Sequence, residues 1–251
     1  MKNKVVSKYL FQKHIKLLAV AYLYALIILV VMPIFFAIIS GTFGTFSISN
    51  TIENSNVGFI TTLILGGMAL LSYEDYKFLI QNGISRNTYF KNQISSYGAI
   101  ILIGAVIDEL YYLAMHFFLN GTNFYQGCYS DFISNGFLNE IVGFCYHLLW
   151  LVAVVTSALA VGSFLSLFSK RVQRLIIICG FVAMIVLMGI VSSSISTIAV
   201  TWIDDFIKFI LGYQGQRTVT PVYSMLFFFI WSVIMIGFSH IFYNRKQIKR
   251  V

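Results

Sequence analysis

Long apolar runs separated by short polar connections dominate this chain. The first run extends from Leu17 to Ser40 without a charge. A bilayer core requires about 20 helical residues at about 1.5 Å each, so this stretch is long enough to cross once. It exceeds the apolar core of a cleavable signal, about 7 to 15 residues, and reads as an uncleaved first span. Further runs occupy about Val57 to Tyr73, Ile94 to Leu119, Ile141 to Phe168, Leu175 to Val200 and Val222 to Tyr243, which predicts six transmembrane helices. Thr220 followed by Pro221 predicts the start of the last span, because a proline in the first helical turn lacks only an N–H that would be unpaired anyway. Pro33 lies inside the first span and predicts a kink near Phe35 or earlier, either shaping a conduit or simply accommodated by packing.

Composition places lipid around these runs. Of 251 residues, 59% are hydrophobic and 10% charged, with a mean hydropathy of +0.84. A soluble domain carries about 25% charged residues, so this chain cannot cover a water-facing surface. Two prolines, 18 glycines without a period and three cysteines exclude a collagenous repeat, a disordered chain and a disulfide scaffold. The expected fold is all-α: one polytopic membrane domain over residues 1–251, with an amphipathic elbow at 1–16, six helices within 17–243 and a basic tail at 244–251.

Charge sets the expected orientation. With both termini inside, fifteen of the seventeen Lys and Arg residues fall on the inner side, leaving Lys208 and Arg217 outside. Basic residues are retained on the cytoplasmic side during insertion, so both termini are expected there. The net charge of +8 then reflects topology and attraction to anionic lipid, and no nucleic-acid partner is expected. Lys-, Asn-, Ile- and Phe-rich usage suggests an AT-rich bacterial genome and a plasma-membrane location.

Bond-making chemistry finds no signature. His14, His116, His147 and His240 have no metal-ligand spacing, and the run Gly237 to His240 lacks the trailing glycine of a serine-hydrolase elbow. Cys128, Cys145 and Cys179 are scattered, and the chain has no Gly-Lys pair from which to build a phosphate-binding loop. The chain is expected to be no enzyme and to bind no metal or cofactor, so any ATP must be handled by another polypeptide.

The first inner connection, Ser72 to Gln93, is too long for a plain turn. Glu74, Asp75 and Lys77 alternate with Tyr73, Tyr76, Phe78, Leu79 and Ile80, which predicts a short interfacial helix with charges toward the cytoplasm and aromatics toward lipid. Gly83 is expected to end it, and Ser85 to cap a second helix running through Arg86 into the third span. Residues 1 to 16 place Val5, Val6, Tyr9 and Leu10 opposite Lys4, Lys8 and His14, as in a helix lying among headgroups.

In the segment LIQNGISRNTYFKNQI, centred on the turn Gly83, Ile84, Ser85, Arg86, the chain resembles the permease subunits of ATP-binding-cassette exporters of the type-2 permease family. The basic N-terminal helix, the six spans, the inner termini and the outer insertion before the last span share that family's layout. The resemblance implies that Glu74, Asp75, Lys77, Gln81, Gly83, Ser85 and Arg86 couple to separate cytoplasmic ATPase subunits, which would hold ATP and Mg. It further implies a homodimer or a heterodimer with a related permease, and an outer helix within Thr201 to Thr220 that helps close an exit. An interfacial helix that only anchors the loop is the alternative for Ser72 to Gln93.

Asp108 and Glu109 form an acidic pair within a predicted span. Two such residues cost about 5 to 7 kcal/mol at the bilayer centre. Fourteen steps from Ile94, about 21 Å, place them in the outer half. They line the outer end of a conduit, or make a structural hydrogen bond, or mark an earlier end of the span. Ser192, Ser193, Ser194 and Ser196 give the fifth span a polar outer end, for pore lining or for interhelical hydrogen bonds. Ala158, Gly162 and Ser166, at four-residue spacing, suit close helix packing. Beside the exporter reading stand two others: a membrane immunity or sensor protein binding a peptide or protein partner, and an ion-coupled carrier using Asp108 and Glu109.

Overall fold

The computed structural model describes residues 2–41, 47, 57–119, 124–129, 132–192, 201–214 and 218–246. Helix α1 (Lys2–Leu26) continues through a π-helical segment (Ile27–Val31) into α2 (Met32–Ile39). The π segment answers the proline. Pro33 has no N–H and its ring crowds the carbonyl four residues earlier, so the helix widens just before it, and the Met32 N–H bonds to the Ile27 carbonyl five residues back. The predicted kink is therefore accommodated as a local change of helical pitch upstream of Phe35.

Next come α3 (Val57–Leu70), α4 (Tyr73–Gln81), α5 (Arg86–Leu119), α6 (Phe124–Tyr129), α7 (Gly136–Leu165) and α8 (Lys170–Ser192). Then α9 (Thr201–Leu211), a two-residue hairpin of β1 (Tyr213–Gln214) and β2 (Thr218–Val219), and α10 (Pro221–Arg245) complete the order. Among the described residues, five helices are long and apolar enough to cross a membrane: Asn3–Ile39, Val57–Gln81, Arg86–Met115, Gly136–Leu165 and Pro221–Arg245. The all-helical, multi-pass architecture is thus present. The expected fifth span, Leu175 to Val200, corresponds to α8, whose described part ends at Ser192.

Helix α7 forms the centre, packed against α3, α5 and α10, while α1 lies along α5. Lipid tails are as apolar as leucine, so these contacts are held by close packing and interhelical hydrogen bonds. Gly162 illustrates the first. A Cβ there would stand 2.5 Å from the Leu70 carbonyl oxygen, so the absence of a side chain lets α7 and α3 meet backbone to surface. Ser166, from the same small-residue series, is buried and donates to the Ser163 carbonyl, and Ala158 packs at the edge of the middle core. The second kind of contact includes the Trp150 indole N–H donating to Thr62 at 3.2 Å and the Trp231 indole N–H donating to Ser157 at 2.8 Å.

Three buried layers follow along the bundle. Tyr76, Tyr89 and Tyr243 with Val6 and Leu10 fill one end, Leu65, Ile100, Leu151 and Val155 the middle, and Tyr125, Tyr129, Tyr146 and Phe228 the other end. Helix α8 differs from the rest. Leu175, Ile178, Phe181, Val182 and Ile185 are all more than half exposed, so α8 presents its apolar side chains outward. At the start of α10, Thr220 holds the N-cap position but its hydroxyl makes no cap bond. Its backbone is instead pinned to Gly212, whose φ of 77° and lack of a side chain allow the Thr220 N–H to reach the Gly212 carbonyl at 3.0 Å.

Candidate functional site

Two polar assemblies stand out, one at the elbow between α4 and α5 and one in the middle of the bundle. The elbow is built as its residues dictate. Gly83, with φ of 76°, closes α4 through a Schellman pattern in which the Gly83 N–H bonds to the Ile80 carbonyl and the Ile84 N–H to the Leu79 carbonyl. Ser85 then caps α5, its hydroxyl oxygen accepting the Thr88 N–H at 3.2 Å. Gln81, Asn82, Gly83, Ser85, Arg86 and Asn87 are all exposed, so the turn presents polar groups outward.

The base of the elbow is rigid and departs from the expected arrangement. Only Leu71 and Ser72 separate α4 from α3. The aromatic stripe of α4 was expected to face lipid, but Tyr76 is wholly buried and Leu79 nearly so, packed against Tyr89, Phe90 and Tyr243. Asp75, expected to face the cytoplasm, is also buried, and the Lys13 ammonium of α1 forms an ion pair with it. His14 stands beside this pair, its Nδ1 2.8 Å from the Ser96 hydroxyl and its ring stacked on Tyr97. The physical reason is that the N-terminal half of α1 and the C-terminal end of α10 both pack at this level, so the apolar face of α4 finds protein partners. Glu74 remains exposed and Lys77 is half-buried.

The C-terminal end of α10 completes the base. Arg86 donates from its guanidinium to the Asn244 carbonyl at 2.5 Å, and the Tyr76 hydroxyl donates to the Lys246 carbonyl at 3.0 Å. Lys246, expected in a solvated tail, is buried, with its ammonium within 5 Å of the ring centroids of Tyr73, Tyr76 and Tyr243, at 4.9, 4.6 and 4.6 Å. Three π-faces offer the cation an electrostatic substitute for water, worth about 2 kcal/mol or more when desolvated.

The second assembly surrounds Asp108. Thr61 of α3 donates to one carboxylate oxygen at 2.5 Å, and His147 Nε2 of α7 lies 2.8 Å from the other. The Tyr22 hydroxyl of α1 is 2.6 Å from the Thr61 oxygen. Since the single Thr61 proton points to Asp108, Tyr22 is the donor, and a directed chain runs Tyr22 to Thr61 to Asp108, with the His147 N–H entering from the far side. Four helices are joined through one carboxylate. Glu109, half-buried, is turned away from this chain by the helical rotation of about 100° between successive residues.

Sequence reading singled out Asp108 and passed over its partners. Tyr22, Thr61 and His147 sit in separate spans, and spacing rules within one segment cannot connect them. The available signal was the single imidazole, His147, in the run Ile141 to Phe168; Tyr22 and Thr61 are not singled out, since Tyr24 and Thr62 stand beside them in the same runs. Of the serines expected at the outer end of the fifth span, Ser193, Ser194 and Ser196 lie outside the described residues, and Ser192 enters only as the last residue of α8.

Compared with known proteins, the chain matches no family model, no curated protein and no solved structure. What it does must therefore be read from its own geometry.

At the end of the bundle opposite the elbow, a tyrosine layer closes over the helices. The Tyr125 hydroxyl donates to Asn139 at 2.9 Å, and burial, followed by the nearby Glu140 carboxylate, pushes that hydroxyl up to about 12, so it stays a donor at neutral pH. Gln126 donates to Glu140 at 2.6 Å, which ties α6 to α7. Cys128, Cys145 and Cys179 are free and exposed, and among the described residues no cluster of three or more His, Cys, Asp or Glu side chains is placed to hold a metal.

Proposed function

We propose that this chain is the membrane subunit of an ATP-driven exporter, receiving force at the α4–α5 elbow from a separate cytoplasmic ATPase. The observation that carries the reading is an exposed polar turn, Gln81 to Arg86, standing on a base of buried tyrosines tied to two other helices, α1 and α10. A turn that floated free would absorb a push locally. This one is braced by Lys13–Asp75 to α1 and by Arg86 and Tyr76 to the end of α10, so displacement of the turn tilts those helices together.

In this reading Glu74, Gln81, Ser85 and Arg86 offer polar contacts to the ATPase, whereas Asp75 braces the turn from within. The chain performs no bond chemistry, and ATP with Mg belongs to the partner. One copy offers half a conduit, and the outward-facing apolar side of α8 leaves room for a second copy or a related permease. Aromatic and apolar walls favour an amphipathic cargo such as a peptide, lipid or drug.

The test uses a variant in which the three native cysteines are replaced and Ser85→Cys is introduced. In intact cells the thiol should resist a membrane-impermeant maleimide, and in inverted vesicles it should react. With an ATPase encoded beside the gene coexpressed, it should crosslink to that subunit. Labelling from outside, or activity and assembly indifferent to every known ATPase in the host, would reject the reading.

A second reading, an ion-coupled carrier, draws on the buried Asp108 and the half-buried His147, whose carboxylate oxygen and Nε2 lie 2.8 Å apart. Transport driven by a proton gradient in ATP-depleted vesicles, and abolished by Asp108→Asn, would favour it over the exporter.

A further inference from the structure

Helix α10 ends where it meets the elbow, and the last carbonyls of any helix find no partner within it. Two of these are taken up by the elbow: the Asn244 carbonyl accepts from Arg86, and the Lys246 carbonyl accepts from Tyr76. The side chain of Lys246 supplies a further tie. Lys246 leaves the helix in an extended conformation, with φ of −65° and ψ of 128°, and its ammonium turns back into the ring cage. Residues 244 to 246 thus form a short strap across the base of the elbow. Helix ends open before helix interiors, so the strap can lift while Tyr243, wholly buried, stays in the core.

The cage is divided between two elements. Tyr73 and Tyr76 belong to α4 and Tyr243 to α10, with ring centroids 6.3 Å apart for Tyr73 and Tyr76 and 5.8 Å apart for Tyr76 and Tyr243. It is therefore complete only while α4 and α10 stand side by side. Attraction to a ring face reaches about 6 Å, and an ammonium group withdrawn from water is costly without such compensation. Lys246 is accordingly stable inside the cage or in water, and unstable halfway between. An alkyl side chain would slide along the same rings without that break, so it is the charge that makes the contact all-or-none.

We propose that Lys246 is a cation-keyed lock on the elbow. With the ammonium caged, Arg86 and Tyr76 hold the turn Gln81 to Arg86 against α10; withdrawal of the ammonium lifts the strap, removes both acceptors and frees the turn in one step. The lock goes beyond the exporter reading and acts whether or not an ATPase drives the protein. Where one does, an open lock leaves a push on the turn unable to reach α10.

The experiment is a double electron–electron resonance distance measurement on the full-length chain in lipid nanodiscs. Its three native cysteines are replaced, and spin labels are placed at Gln81→Cys on the elbow and Ile234→Cys on α10, both exposed positions. With Lys246 present, one narrow distance is expected. Lys246→Gln should add a second, displaced distance, raising the ratio of displaced to held elbow about tenfold, whereas Lys246→Arg, which keeps a cation for the rings, should restore the native distance. Tyr73→Leu removes one ring face without altering the strap and should displace the elbow as Lys246→Gln does, which keeps the test decisive if the latter fails to fold. A native distance distribution in Lys246→Gln or in Tyr73→Leu overturns the proposal. So does equal displacement in Lys246→Gln and Lys246→Arg, because side-chain shape and not charge would then hold the strap. No nucleotide or partner enters the measurement, so its failure is separate from that of the exporter reading.

Discussion

Lys246 holds its ammonium 4.6 Å from the centroid of the Tyr76 ring, while the Tyr76 hydroxyl donates to the carbonyl of the same lysine at 3.0 Å. The two residues are 170 positions apart, so this reciprocal grip fastens the end of α10 to the base of the elbow. The segment expected as a basic tail is, in its first residues, a structural part of the bundle.

Release of that grip is measurable with trypsin. Cleavage after Lys246 should be slow in the native chain, because the side chain must leave its three-ring enclosure first. Tyr76→Phe removes one hydrogen bond, worth about 1 kcal/mol, and should raise the cleavage rate about fivefold in the regime where opening is fast. Tyr76→Ala, which also removes a ring face, should raise it further. An unchanged rate in Tyr76→Ala would show that the tail is held by something else.

Asp108 should be the most costly polar residue to alter in the described bundle. Removing the hydrogen-bond partner of a buried polar group costs about 1 to 3 kcal/mol, because the group left behind stays desolvated. His147→Leu should therefore lower stability in detergent by that order, and Asp108→Leu likewise. Combined, the two should cost clearly less than the sum, with a coupling of about 1 to 3 kcal/mol in a double-mutant cycle. Additive losses would mean that the contact between the two side chains carries no energy of its own.

Glycines in the spans separate into two kinds. Gly162→Ala puts a methyl group 2.5 Å from a Leu70 backbone oxygen, which cannot swing aside, so α7 and α3 must part. The expected loss is about 1 to 3 kcal/mol by analogy with other overpacked contacts. Gly98→Ala, where the added carbon meets nothing within 4 Å, should be neutral or stabilising by up to about 1 kcal/mol through helix propensity. Thermal unfolding of the two variants in the same detergent checks the contrast, and equal midpoints would remove the packing argument for Gly162.

Much of the elbow was legible because its signals are local. Gly83 ends α4 and Ser85 caps α5 as their residue types require, since a left-handed backbone and a side-chain cap are decided within about four positions. The orientation of α4 was not legible. Its alternating pattern specifies an apolar face but not what covers it, and the choice between lipid and Tyr89, Phe90 and Tyr243 depends on helices far along the chain. The same limit explains why Lys13 was counted only among the inner basic residues and Asp75 read as a charge facing the cytoplasm, whereas the two, 62 positions apart, form one ion pair.

By itself the order of residues determined a helical chain in which five of the six expected spans coincide with helices long and apolar enough to cross a membrane, because the solvent demands unbroken apolar stretches in which every backbone group is satisfied within its own helix. It also determined where helices stop, through glycine, serine and proline. Only the tertiary structure decided that Asp108 meets Thr61 and His147, that Lys246 is enclosed by tyrosines, and that Lys13 pairs with Asp75. Those outcomes depend on the rotation and depth of each helix against its neighbours. In lipid these are set by the fit of small residues and scattered hydrogen bonds, which carry no periodic trace along the chain.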